Sequence, residues 1–123
     1  MKTEELSKKI VDTIINKKAE NIISIDVENK NSYTDEILIC TGSSSLHIKA
    51  LAETVLDFAK ENRVEILSKE GFEAGVWILI DFGTIILHIF KQNIRQNFNL
   101  EQLWQERDAK IKHIESAYAK EDN

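Results

Sequence analysis

The chain has no proline. No turn is therefore preset by a fixed φ, and each reversal must rest on Gly, Asn, Asp or Ser. Its single cysteine, Cys40, cannot form an internal disulfide and fits a reducing compartment. Set in an apolar strand, Cys40 reads as a small core residue. Three histidines are present, none at metal-ligand spacing with Cys40. No apolar run reaches the ~18 residues of a membrane span. The opening MKTEELSKKI carries acids and lysines and no apolar stretch, so no secretory signal is expected. Positive charge is also short, with 16 Lys and Arg against 21 Asp and Glu and a net charge of −5. That argues against a protein built to grip a nucleic acid backbone and suits a basic protein partner better. There is no Gly-x-x-x-x-Gly-Lys and no Gly-x-Gly-x-x-Gly, so neither nucleotide fingerprint is available.

What remains is an ordinary globular composition, 42% apolar and 30% charged over 123 residues. It is long enough for one domain with its own core and no staple. Residues 2–18 carry Leu6, Ile10, Val11, Ile14 and Ile15 at helical spacing. Ile22–Val27 and Glu36–Thr41 are short β-branched runs joined by the polar ENKNSYT, a hairpin with a long loop. TGSSS follows, with Ser43 or Ser44 as the helix cap. Ile48, Leu51, Ala52, Val55, Phe58 and Ala59 then form the apolar stripe of a second helix. Val64–Ser68, Val76–Ile80 and Ile85–Phe90 are the further strands, with residues 69–75 as a loop. Asn99 with Gln102 three residues on suggests a capping box. From there Leu100, Leu103, Trp104, Ile111, Ile114 and Tyr118 predict one helix running to about Tyr118. The expected order is α-β-β-α-β-β-β-α, a mixed, roughly five-stranded sheet flanked by helices in an α/β domain.

The last hairpin carries most of the functional signal. With Phe82 and Gly83 as turn residues, Trp77 faces His88, Leu79 faces Ile86 and Asp81 faces Thr84, all on one face of the sheet. The other face is wholly aliphatic, with Val76, Ile78, Ile80, Ile85, Leu87 and Ile89, as a helix-covered face should be. The mixed face has two readings: a binding surface centred on Trp77, or a core covered by a further helix. His88 and Asp81 on one face could form an acid–base pair or serve a binding surface. No nucleophile or oxyanion donors stand near them. Before the second helix, TGSSS could bind an anion or simply cap. His47 lies near those serines, but no strained elbow surrounds them.

Three segments resemble the ribosomal silencing factor family, RsfS, also called Iojap-like proteins. They are TDEILICTGSSSLHIKALAETV (34–55), EGFEAGVWILIDFGTIILHIF (70–90) and RQNFNLEQLW (95–104). The combination of W-x-L-x-D-x-G, H-x-F and L-E-x-L-W carries the resemblance, which covers the chain from the first helix to Trp104. It divides the chain into an RsfS/Iojap-like domain over 1–104 and a C-terminal helical extension with a frayed tail of the same domain over 105–123.

The resemblance implies a cytoplasmic protein that docks on the large ribosomal subunit through its ribosomal protein fourteen. That protein lies where the small subunit joins, so a bound factor blocks association sterically and lowers translation when nutrients are short. Organelle relatives act in large-subunit assembly. The expected partner-binding residues are Trp77, Leu79, Asp81, Thr84, Ile86 and His88, with Glu70 and Arg95. A homodimer is a possible further partner, and any contact with ribosomal RNA is peripheral. The family fold is similar to nucleotidyltransferases, which place a Gly-Ser pair before a helix and paired metal-binding acids on a strand. Gly42-Ser43 is present here, but Leu79 stands where a second acid beside Asp81 would be, so two-metal phosphoryl transfer cannot be assembled. No catalytic residue, cofactor or metal is expected. The competing expectations are a cryptic nucleotide-binding protein of that fold and a large-subunit assembly factor. At Thr84 and Phe98 the chain departs from a pattern that often has an acid and a tyrosine.

Overall fold

A computed structural model describes residues 1–114 of the chain. Its elements are α1 (Thr3–Asn16), β1 (Glu20–Asp26), β2 (Glu36–Thr41), α2 (Ser45–Glu61), β3 (Ser68–Glu70), β4 (Trp77–Asp81), β5 (Ile85–Phe90), α3 (Gln92–Phe98), α4 (Leu100–Gln105) and β6 (Lys110–Ile114). The strands form one mixed sheet in the order β3-β4-β5-β2-β1-β6. β2 and β5 run parallel at its centre and every other pair is antiparallel. Among the described residues no helix is long and apolar enough to cross a membrane.

The aliphatic face of the last hairpin is covered by helices, as its composition demands. Ile78, Ile80, Ile85, Leu87 and Ile89 pack with Leu38 and Cys40 against Ile10 and Ile14 of α1 and Ile48, Leu51 and Val55 of α2. Burial pushes the Cys40 thiol up to about 12, so it stays a neutral core group. Ser44 caps α2 by accepting from the His47 backbone N–H at 3.0 Å, which supports the capping reading of TGSSS. The opposite face holds a second, smaller core of Ile23, Ile25, Val27, Ile37, Ile39 and Phe90, over which Ile94, Leu100 and Trp104 close.

Three expectations are corrected. The sheet has six strands rather than five, because residues 110–114 extend beside β1 instead of continuing a helix. The helical stripe misleads there because this strand is used on both sides. Ile111 joins the second core and Ile114 the first, and residues three apart on a strand point to opposite faces. Asp108 at φ 60° ends the α4 turn, and Ala109 is buried beneath it. Tyr118 lies outside the described residues. The strand expected at Val64–Ser68 is instead Ser68–Glu70; Val64 and Ile66 reach the first core from irregular chain. The hairpin turn is displaced by one residue. Phe82 pairs with Ile85, its N–H donating to the Ile85 carbonyl at 2.8 Å, so Gly83 and Thr84 make the turn. Gly83 at φ +89° meets the left-handed requirement of a two-residue loop that opens with glycine.

Candidate functional site

Moving the turn by one residue moves each cross-strand partner by two, so the faces survive but the partners change. Trp77 lies opposite Phe90, Leu79 opposite His88 and Asp81 opposite Ile86. Thr84 leaves the ladder and sits exposed in the turn. Glu70 is opposite Leu79 and Ser68 opposite Asp81 on the β3 edge. One sheet face therefore presents Glu70, Trp77, Leu79, Asp81 and Ile86 together at the β3-β4-β5 end.

Helices α3 and α4 close over the β1-β2 part of this face and reach Phe90 of β5. Where they stop, Trp77, Leu79 and Ile86 remain half-buried. Asn99 at φ 41° ends α3 and caps α4, its side chain accepting from the Gln102 N–H. The Asn99 backbone N–H goes to the Arg95 carbonyl, so the reciprocal bond of the expected capping box is not made; the Asn99 side-chain amide donates to Gln102 Oε1 instead. That bend leaves Phe98 56% exposed, its ring centroid 4.6 Å from that of Trp77. The Phe90 ring centroid lies 4.9 Å from that of the indole. The result is an apolar patch of Trp77, Phe98, Leu79 and Ile86 rimmed by the carboxylates of Glu70 and Asp81.

His88 and Arg95, both expected at the surface, are 7% and 8% exposed. His88 accepts the indole N–H of Trp77 at its Nδ1, 3.0 Å away, and stacks on Phe90. Arg95 ties the strand ends beneath α3. Its Nη1 donates to the Asn21 carbonyl at 2.6 Å and to Thr41 Oγ1 at 2.8 Å, and its Nε donates to Glu101 at 2.9 Å. The side chain is thus engaged inward.

The chemistry weighed from the sequence is not assembled. The Asp81 carboxylate accepts from the Gly83 N–H at 2.7 Å and shapes the turn, while His88 is held by Trp77, so the two do not pair. His47 Nδ1 accepts from the Ser43 N–H at 2.9 Å and lies 3.1 Å from Ser43 Oγ, with Nε2 donating to the Lys17 carbonyl at 2.8 Å. That ring fastens the start of α2 to the end of α1. Among the described residues no group of His, Cys, Asp or Glu could hold a metal ion. Two members of the aromatic cluster, Phe90 and Phe98, are absent from the expected site. H-x-F placed Phe90 on the same face as His88, so period two alone would have found it; Phe98 depends on the bend at Asn99.

Comparison with known proteins bears on this surface. A family model described as "Ribosomal silencing factor during starvation" matches residues 1–123. The chain is 38% identical to the ribosomal silencing factor RsfS of Bacillus subtilis (strain 168), over 72% of this chain and 75% of that one. It is 28% identical to the Mus musculus protein named "Mitochondrial assembly of ribosomal large subunit protein 1", over 77% of this chain and 43% of that one. A crystal structure of a Chromobacterium violaceum protein superposes with a TM-score of 0.83 at 32% identity, covering 85% of this chain and 88% of that one.

Proposed function

The chain belongs to the RsfS family of ribosomal silencing factors, and from that premise we propose that it docks on the large ribosomal subunit and keeps the small subunit from joining. In this reading it acts in the cytoplasm as a translational repressor under nutrient limitation. The contact is ribosomal protein fourteen, and the mechanism is steric occlusion with no bond made or broken. The fold is nucleotidyltransferase-like in this proposal, retaining the scaffold without the paired acids that phosphoryl transfer needs.

The observation that carries the reading is the patch of Trp77, Phe98, Leu79 and Ile86 on a sheet face otherwise closed by α3 and α4. A half-buried tryptophan among apolar neighbours, inside a polar rim, has the anatomy of an interface centre. Glu70, Asp81 and the net charge of −5 complement a basic ribosomal protein and would speed encounter. Thr84, exposed in the turn beside Asp81, lies on the rim. Arg95 serves by holding α3, and so Phe98, in place.

The test is sedimentation of the purified protein with large subunits in a sucrose gradient, followed by addition of small subunits. The parent protein should travel with large subunits and reduce joined ribosomes. Trp77→Ala should weaken binding by about 2 kcal/mol or more while remaining folded. A folded Trp77→Ala protein that binds as well as the parent would remove this face from the contact. Binding only to immature large subunits, without effect on joining, would favour the assembly role in the name of the mouse relative.

A further inference from the structure

His88 lies directly beneath the docking patch yet is too buried to touch a partner, being 7% exposed. Among the described residues its one side-chain hydrogen bond runs to the largest member of that patch: the Trp77 indole N–H donates to its Nδ1 at 3.0 Å. For Nδ1 to accept, the ring must be neutral with its proton on Nε2. Burial favours that state, pushing the pKa down to about 4. The ring is itself fixed by stacking on Phe90 at 5.6 Å with an interplanar angle of 8°.

Two rings also lie against the indole, Phe90 at 4.9 Å and Phe98 at 4.6 Å between centroids, and Trp77 packs on the second core. Such contacts hold an aromatic plane but distinguish its two edges weakly. A directional hydrogen bond distinguishes them strongly, because only one edge carries the N–H. Leu79 lies directly opposite His88, so the acceptor, the indole and the aliphatic part of the patch share one stretch of the hairpin.

We propose that His88 is a positioning residue for docking: its Nδ1 holds the Trp77 indole in one orientation before the partner arrives, so that the patch is preorganised. This rests on the reading of the Trp77 face as the docking surface. Preorganisation raises affinity by removing the cost of ordering a side chain on binding. A histidine at this position thus acts through Trp77 without itself reaching the ribosome.

The experiment compares His88→Leu, which removes the acceptor, with His88→Asn, whose Oδ1 can stand where Nδ1 stood. Binding to purified large subunits is measured beside the Trp77 indole N–H resonance in 1H–15N spectra of the free protein. His88→Leu should bind about three- to tenfold more weakly, with the resonance shifted upfield and broadened. His88→Asn should bind within about twofold of the parent and keep a hydrogen-bonded indole resonance. Should His88→Leu fail to fold, His88→Phe removes the acceptor while retaining a ring against Phe90. Folded acceptor-less variants that bind like the parent would overturn the proposal, as would Asn and Leu variants that weaken binding equally. Trp77→Ala separates the two levels. If it binds normally, the docking face is wrong and the proposal falls with it; if it fails to bind while His88→Leu binds normally, only the positioning role is lost.

Discussion

The burial of His88 makes the stability of the fold depend on pH in a defined window. In the unfolded chain the imidazole titrates near its ordinary 6.5, and in the fold burial lowers this to about 4. Between these values the unfolded state takes up a proton that the folded state refuses, so stability rises with pH. The contribution is complete above about pH 6.5, shrinks as pH falls, and is gone below about pH 4. A gap of about 2.5 pH units at ~1.36 kcal/mol each corresponds to about 3 kcal/mol. Protonated Nδ1 would also meet the Trp77 N–H donor to donor, which opposes charging in the same direction. The assay is urea denaturation of the parent and of His88→Asn at several pH values from about 7.5 to about 4.5. Taking the difference between the two proteins cancels the carboxylates and the other histidines. The parent should lose about 2.5 kcal/mol more than the variant across that range. Two curves that stay parallel, separated by a constant offset, would refute the argument.

Two other perturbations probe the supports of the patch. Arg95→Ala strips the donor from the Asn21 carbonyl, the Thr41 hydroxyl and the Glu101 carboxylate together. It should cost about 2–3 kcal/mol in urea denaturation, and Arg95→Lys should recover only part because it cannot fork. At Gly71 the backbone has φ +88°, and an added Cβ would lie 1.9 Å from the Trp77 carbonyl oxygen. Gly71→Ala should therefore lower stability by about 2 kcal/mol or more and weaken co-sedimentation with large subunits by shifting Trp77. A variant of parental stability and binding would show that this approach is unimportant.

How much of this was legible depended on whether the deciding contact was local. Helix α2 and the aliphatic side of the last hairpin were readable because their apolar residues repeat at 3.6 and 2.0, and the core they build is the one expected. The mixed face was readable for the same reason, since alternation survives an error in the turn. Its cross-strand partners were not, because they follow from whether Phe82 or Gly83 opens the turn. Gly83 opens it: its positive φ suits that position, while Phe82 is drawn into the core. Arg95 was beyond reach of any window, its partners Asn21 and Thr41 lying 74 and 54 residues away. β6 was hidden by its own success. A strand that packs on both sides places Ile111 and Ile114 at a spacing that also suits a helix.

The sixth strand also constrains when the protein can finish folding. Its partner β1 is made well before it, and residues 110–114 follow roughly 90 positions later. Until they arrive, one edge of β1 keeps its backbone donors and acceptors unpaired, and Ile23 and Ile25 lack the cover that Ala109 and Ile111 provide. During translation the nascent chain therefore carries an open, β-branched edge of the kind that pairs with other chains. The β1 edge is covered only after residues 110–114 have been made. A nascent chain halted before Lys110 should be more prone to aggregation than the finished one, whatever the stability of its first two helices.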